Sequence, residues 1–331
     1  MNMLVVIVNY RTARLTVDCL ESLAPEVGPA SARVVVTDNA SGDGSVAVLN
    51  RAVESNGWAD WASVAPLGRN GGFAFGNNAA IRPALRSADP PRYVLLLNPD
   101  TVVRPGALKA LVDFMDGRPA VGIAGSRLEG PDGSPQFSAF RFPSVFSELE
   151  GGLRLGLVTR LLSRWRMAPP ISEVASPTPC VAGASMMIRR EVFDAVGLLD
   201  EGYFMYFEEI DFCRRALRAG WPCWYVPESR VVHLVGQSSG ITDVKTPLKR
   251  LPAYWFEARR RYFLTHHGRL GKFLADLAWA SGFAAYRLRG ALGLKTLHVD
   301  PPLALWDFIH HNFIPALGPR GGPPAREEVP S

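Results

Sequence analysis

Apolar and polar positions alternate in blocks along the first hundred residues. Leu4-Val5-Val6-Ile7-Val8 is continuously apolar, which predicts a strand buried on both faces. Leu15, Leu20 and Leu23 recur at helical spacing within 12–23. Residues 33–37 predict a second strand, closed by Asp38-Asn39, and the turn Ser41-Gly42-Asp43-Gly44-Ser45 opens a helix to about Val53. A weak strand follows at 62–66, then a Gly/Asn loop over 68–76, a helix over 77–85 and a strongly apolar strand at 93–97. This succession predicts an α/β fold, with a mainly parallel sheet covered by helices on both faces. Ligands of such sheets sit beyond the carboxyl ends of the strands.

The conspicuous polar residues fall at those ends. Asn9-Tyr10 follows the first strand, Asp38-Asn39 the second, Arg69-Asn70-Gly71-Gly72-Phe73 the third and Asn98-Pro99-Asp100 the fourth. One such residue would pass as a turn former. Four consecutive strand ends carrying Asn or Asp point to a binding crevice.

Residues 125–179 are richer in Gly, Pro and Ser. Within them, 149–165 is apolar with Arg154, Arg160, Arg164 and the adjoining Arg166 interleaved, which fits an interfacial or lid helix, or an ordinary surface helix. Apolar segments resume at 181–189, 192–196, 212–219, 224–226 and 231–234. Helical patterns cover 254–264 and 270–292, and the Pro/Gly-rich end from about Gly318 is expected to be disordered. The chain therefore divides into a unit over 1–244, with halves meeting near 124, a helical extension over 245–317 and a tail.

Composition sharpens this division. Hydrophobic residues are 47% and charged residues 20% of the 331, enough apolar material for a large core. The net charge of +5 is unevenly spread. From Lys245 onward there are 13 Lys+Arg and 6 Asp+Glu, so the preceding part is slightly acidic. That distribution excludes a general nucleic-acid binder and suits a basic extension facing anionic lipid or phosphate. Four cysteines without CxxC spacing predict neither a disulfide framework nor a zinc cluster, and imply a reducing compartment. No run of 18 uncharged apolar residues occurs, so a membrane span is not expected. No GxGxxG loop follows the first strand, where Asn9-Tyr10-Arg11-Thr12 stands, which argues against a dinucleotide-dependent oxidoreductase.

Three features carry candidate chemistry. Asp100 in Asn98-Pro99-Asp100 is a carboxylate on a turn, suited to a divalent cation that bridges phosphates. Glu208, Glu209 and Asp211 lie within Phe204-Met205-Tyr206-Phe207-Glu208-Glu209-Ile210-Asp211. Their aromatic neighbours imply partial burial, which raises carboxyl pKa values and suits a general base; Asp211 could equally cap the following helix. His233 follows an apolar strand and becomes a credible metal ligand only beside Asp100.

These segments, in order, resemble the inverting family 2 glycosyltransferases of GT-A fold, and within them a bacterial rhamnosyltransferase-like branch. The matching pieces are Val8-Asn9-Tyr10, the turn from Asp38 to Ser45, Asn70-Gly71-Gly72-Phe73-Ala74-Phe75-Gly76-Asn77-Asn78 and Leu97-Asn98-Pro99-Asp100. They continue with the segment from Gly183 to Arg190, Gly197-Leu198-Leu199-Asp200-Glu201, the segment from Phe204 to Arg215, and His233 with Gly236 and Ser238. The resemblance implies nucleotide-sugar contacts from Asn9, Tyr10, Asp38, Asn39, Asn70, Gly72, Phe73, Asn77 and Asn98. It implies Mg²⁺ or Mn²⁺ held by Asp100, completed by His233 and the donor diphosphate. Asn98 replaces a carboxylate usual in the metal motif, which leaves a more open site.

Glu209 matches the family's catalytic aspartate with one methylene more; Glu208 and Asp211 are the other candidates. Arg259-Arg260-Arg261-Tyr262-Phe263 with His266-His267-Gly268 also resembles this branch. The arginines are candidates for a lipid-linked acceptor's diphosphate, or form a solvated helix face. The implied activity is transfer of a sugar, L-rhamnose from dTDP-rhamnose by preference, to a lipid-linked or surface-polysaccharide acceptor. It would take place at the inner membrane face in the cytoplasm. The competing expectation is a catalytically inactive sugar-nucleotide or glycan-binding scaffold.

Overall fold

A computed structural model describes residues 2–234, 249–294 and 300–314. Gly236, Ser238 and the tail expected to be disordered lie outside the described residues. The strands are β1 (Met3–Asn9), β2 (Ala32–Asp38), β3 (Ala62–Pro66), β4 (Tyr93–Leu97), β5 (Thr101–Val103), β6 (Ile123–Glu129), β7 (Ala139–Phe140), β8 (Ser176–Thr178), β9 (Cys180–Val181), β10 (Ser185–Arg189) and β11 (Cys223–His233). The helices are α1 (Ala13–Ala30), α2 (Ser45–Ser55), α3 (Gly72–Leu85), α4 (Ala107–Asp116), α5 (Val145–Leu153), α6 (Gly156–Leu161), α7 (Arg190–Val196), α8 (Glu208–Arg218), α9 (Ala253–Ala291) and α10 (Ala304–Phe313).

The main sheet runs β3-β2-β1-β4-β10-β6-β11-β5, with β8 on β11. Strands β3, β2, β1 and β4 are parallel. The two-sided burial predicted for β1 follows from strand alternation: Met3, Val5 and Ile7 enter one core cluster, Leu4 and Val6 the other. Tyr93, Leu95 and Leu97 of β4 join the first cluster, Val94 and Leu96 the second. Helices α1, α2 and α4 cover the first side through Leu20, Leu49 and Leu111, and α3, α7 and α8 cover the other through Ile81, Val192 and Phe212. Strand β10 enters antiparallel between β4 and β6, and β5 is antiparallel to β11.

Three elements differ from the sequence pattern. Helix α3 starts at Gly72, five residues before the expected start, because tertiary bonds fix its first turn: the Asn70 side chain accepts from Gly72 N–H and Asn39 donates to the Gly72 carbonyl. The 149–165 stretch is no single helix. It breaks at Arg154, which is left-handed, and α5 packs along α9, where Gly152 and Gly282 permit backbone contact. The segments expected at 224–226 and 231–234 form one strand, β11, with a register shift between Val226 and Arg230.

Candidate active site

The carboxyl ends of β1 and β2 form a clasp. Asn9 donates to Asp38 Oδ1 (2.6 Å) and accepts from Thr12 and Thr16 hydroxyls (both 3.0 Å). Asp38 also accepts from Ser41 Oγ (2.5 Å) and Ser41 N–H (3.0 Å). Asn9 is fully buried and Asp38 almost so. Both amide atoms of Asn9, for which the resemblance implies a nucleotide contact, are bonded internally, so its side chain shapes the crevice from beneath. Ser41 is the hub that sequence reading missed, and it was visible only as one member of a turn. Asp38 keeps a place beside Asn39, whose buried Oδ1 has no partner. Tyr10 lies in the rim, with Arg11 against its ring at 5.3 Å.

The Gly/Asn loop docks onto the segment before α8. Phe73 N–H donates to the Phe204 carbonyl (2.8 Å). Gly72 has φ +85°, and a Cβ there would collide with that carbonyl, so only glycine closes this contact. Asn77 donates to the Phe73 carbonyl (2.9 Å), and Asn70 to Gly72 is the bond already described. Asn70, Gly72 and Asn77 therefore hold the loop's shape. Gly183 faces the Phe73 ring and Glu209 together: a Cβ there would lie 3.7 Å from Glu209 Cβ.

Strand β5 pairs with β11 so that Thr101 stands opposite His233. Leu234 N–H donates to the Asp100 carbonyl, at 2.9 Å. This pairing brings His233 Nε2 to 3.5 Å from Asp100 Oδ1 and 3.5 Å from Asn98 Nδ2. Asp100 is buried, yet neither carboxylate oxygen has a hydrogen-bond partner. A buried carboxylate without partners is costly, and a cation on its oxygens would offset that cost. The Asp100 carboxylate suits a hard divalent ion, which takes oxygen ligands, and the His233 imidazole beside it is a softer donor. Among the described residues no group of three His, Cys, Asp or Glu could hold a metal.

Glu208 and Glu209 begin α8. The chain reaches them through Tyr206 (φ 71°) and Phe207 (φ 68°), two bulky residues in the left-handed region. Such a pair stores local strain that the surroundings must hold. Here α9 supplies the hold: Tyr254 lies against Phe204 and Tyr206 at 5.2 and 6.1 Å, and Tyr262 against Phe207 at 5.6 Å. Sequence reading assigned none of these α9 aromatics to the site, because only the fold brings residues fifty positions apart together.

The three acids differ in state. Burial, then the neighbouring Glu209 charge, pushes Glu208 well above the ordinary carboxyl range. Burial also raises Glu209, against opposing backbone N–H bonds at the helix start. Burial alone would raise Asp211, but His266 (2.7 Å) and Arg215 (2.7 Å) outweigh it and hold Asp211 below its usual value. Asp211, one of the candidate bases, is thus held between these two partners, and its hydrogen bond with His266 ties α8 to α9. Glu208 and Glu209 each have a buried Oε2 without partner, but Glu208 is 4% exposed, whereas Glu209 keeps partial exposure. Glu209 is the better placed of the two to meet a substrate hydroxyl. It reaches the Asp100 turn across one backbone segment, since the Ala184 carbonyl beside Gly183 accepts from Asn98 N–H (3.0 Å).

The arginine run is also redistributed. Arg259 is 1% exposed and donates to Glu148 (2.8 and 3.1 Å) and Asp276 (2.5 Å). The guanidinium of this candidate for an acceptor diphosphate is enclosed between two carboxylates. Arg261 is paired through two nitrogens with Asp200 (2.8 and 2.9 Å), and Arg260 is half-buried.

This fold is that of the GT-A glycosyltransferases. A family model described as "Glycosyltransferase like family 2" matches residues 2–251, and the chain belongs to that family. The N-acetylglucosaminyl-diphospho-decaprenol L-rhamnosyltransferase of Mycobacterium tuberculosis is 32% identical over 214 residues, covering 62% of each chain. The dTDP-rhamnosyl transferase RfbF of Shigella flexneri is 24% identical over 200 residues, 60% of this chain and 61% of that one. The chain thus matches about three-fifths of these relatives' length. Among solved structures, the mannosyltransferase PcManGT of Pyrobaculum calidifontis, in complex with GDP-Man and Mn²⁺, superposes with a TM-score of 0.55 at 17% identity. That match covers 89% of this chain and 76% of the other.

Proposed function

We propose that this protein transfers L-rhamnose from dTDP-rhamnose to a lipid-linked or cell-surface glycan, with inversion at the anomeric carbon. The observation that carries the reading is the Asp100 carboxylate, buried with neither oxygen hydrogen-bonded, one peptide segment from the half-buried Glu209. Relatives with rhamnosyl activity in their names support the choice of sugar. Asp100 and His233 would hold Mg²⁺ or Mn²⁺, which when bound supplies positive charge to the departing nucleoside diphosphate. Because the described residues supply only these two ligands, diphosphate oxygens would complete the site, which couples metal affinity to donor binding.

The protein's own residues divide the remaining work. Asn39, Tyr10 and Asp38 line or shape the base-and-ribose end. The Gly72-Phe73 turn closes against Phe204 and holds the sugar end. Glu209 takes the proton of the acceptor hydroxyl as that oxygen bonds to the anomeric carbon and the carbon–oxygen bond to phosphate breaks. Transfer to a lipid-linked acceptor requires the chain to work at a membrane surface; no described helix is long and apolar enough to cross one.

A thermal-shift screen of nucleotide sugars with and without Mn²⁺ tests the donor site. A ligand at a hundred times its dissociation constant stabilises by about 2.7 kcal/mol. The expected result is stabilisation by dTDP-rhamnose that needs metal in the wild type and loses its metal dependence in Asp100→Ala. Equal metal dependence in both proteins would remove Asp100 from the site.

A further inference from the structure

Helix α9 is apolar on two opposite faces: one is packed within the fold, while the other meets the Phe313 ring, 6.4 Å from that of Phe273, and is otherwise largely exposed among the described residues. After the break at Gly268, its inner face carries Ala275, Gly282, Phe283 and Tyr286, all buried, with Phe283 and Tyr286 in one core cluster. That face packs on α5, and the neighbouring Trp279 stacks on Phe308 of α10 at 4.0 Å. The opposite face carries Leu270, Phe273, Leu274, Leu277, Leu288 and Leu292, exposed at 71, 50, 43, 48, 61 and 70%. Their spacing of three, four and seven residues places them in one stripe about 33 Å long, at 1.5 Å per residue. A monomeric protein rarely leaves so continuous an apolar stripe in water.

The charges around the stripe identify its occupant. Between Ala258 and Val299 the sequence has eight Lys+Arg and a single acid, Asp276. Asp276 is fully buried on the inner face, bonded to Arg259 and Lys272. The outward face therefore bears no carboxylate, and Arg269 and Arg287 are exposed beside the leucines. A second protein copy would bring the same cations against each other in a symmetric pairing. An anionic lipid surface complements both the charge and the apolar stripe, and an exposed helix with basic and apolar positions so arranged lies in the interface plane.

We infer that the outer face of α9, from Leu270 to Leu292, is an insertion surface for an anionic phospholipid monolayer, with the helix lying parallel to the membrane. This inference rests on the transferase reading only for its purpose, since a lipid-linked acceptor presents its diphosphate at that surface. The physical consequence for catalysis is orientation. The first half of α9 clamps the Phe204–Phe207 loop through Tyr254 and Tyr262, so a membrane-bound α9 holds the Glu209 site at a fixed height above the lipid headgroups.

The test is flotation of the full chain with vesicles of equimolar phosphatidylglycerol and phosphatidylcholine, against pure phosphatidylcholine. Wild type is expected to float with the anionic vesicles only, and less at high salt. Phe273→Asp with Leu277→Asp should lower partitioning about tenfold or more, from lost apolar burial and added like charge. The milder Phe273→Ser with Leu277→Ser should lower it by a smaller factor, and circular dichroism melts check that both variants fold. The variants should keep wild-type dTDP-rhamnose binding in solution. Unchanged flotation in the folded variants would overturn the inference. So would a concentration-dependent dimer that the variants abolish while still floating, which would make the face a seam between copies. Flotation by wild type without any rhamnosyl transfer would refute the proposed activity and leave the membrane face standing.

Discussion

Glu209→Gln is expected to lower sugar transfer by about 10²–10⁴-fold, the usual contribution of a well-placed general base, while donor binding and melting temperature stay near wild type. The amide keeps the side chain's shape and cannot take the acceptor proton. The wild-type pH profile should carry the same residue's signature. Burial raises the Glu209 carboxyl above the ordinary glutamate value of about 4.3. The base must be ionised, so kcat/KM should fall on the acid side at a higher pH than an exposed glutamate would give, and recover as pH rises through the raised value. Stability runs the other way. The raised carboxyls of Glu208 and Glu209 contribute most below their unfolded values, and that contribution is lost as pH rises through their folded ones. The site is therefore least stable in the protonation state it uses. Rapid-quench or coupled nucleotide-release kinetics across the acid range would measure the first effect, and full activity of Glu209→Gln would remove it as the base.

Arg259→Met is expected to produce the largest stability loss of any substitution in the arginine run. It leaves Glu148 and Asp276 buried, with only Lys272 facing the latter. Breaking a buried pair by removing one partner costs about 3–5 kcal/mol. The comparison is Arg261→Met: its pair with Asp200 is 45% and 30% exposed, and such pairs are worth about 0–1 kcal/mol. Urea unfolding of the two variants should separate them by about 2 kcal/mol or more. Loss of the α5–α9 anchor should also loosen the clamp on the Phe204–Phe207 loop, so Arg259→Met should lose activity without touching substrate.

This pair of arginines shows where sequence legibility ends. The run Arg259-Arg260-Arg261 looks uniform, yet helical rotation of about 100° per residue sends neighbours to different environments. The carboxylates that decide their fates come from α5, from Asp200 and from the next turns of α9. The strands were legible because continuous apolar runs have only one place to go in a two-sided sheet, and β3 and β4 fall where the pattern puts them. The start of α3 was not, since Gly71-Gly72 suggests a loop locally and only the bonds to Asn39 and Phe204 make it a helix. The polar residues at the strand ends stand out as a set in the sequence. Their division into a buried clasp (Asn9, Asp38, Ser41), a loop lock (Asn70, Gly72, Asn77) and chemically available groups (Asp100, His233, Glu209) depends on hydrogen bonds that no spacing encodes. The role of α9 as a brace across the strained Tyr206-Phe207 turn was likewise invisible, although His266-His267-Gly268 marked the segment.

The most direct measurement follows radiolabelled rhamnose from dTDP-rhamnose into a lipid extract carrying diphosphate-linked acceptors. It would be run with Mg²⁺ or Mn²⁺, with chelator, and with Glu209→Gln, and the anomeric configuration of the product would be read by NMR. The account predicts label in the lipid fraction with inverted configuration, lost with chelator and in the variant. Retained configuration, or transfer that survives both chelator and Glu209→Gln, would contradict it.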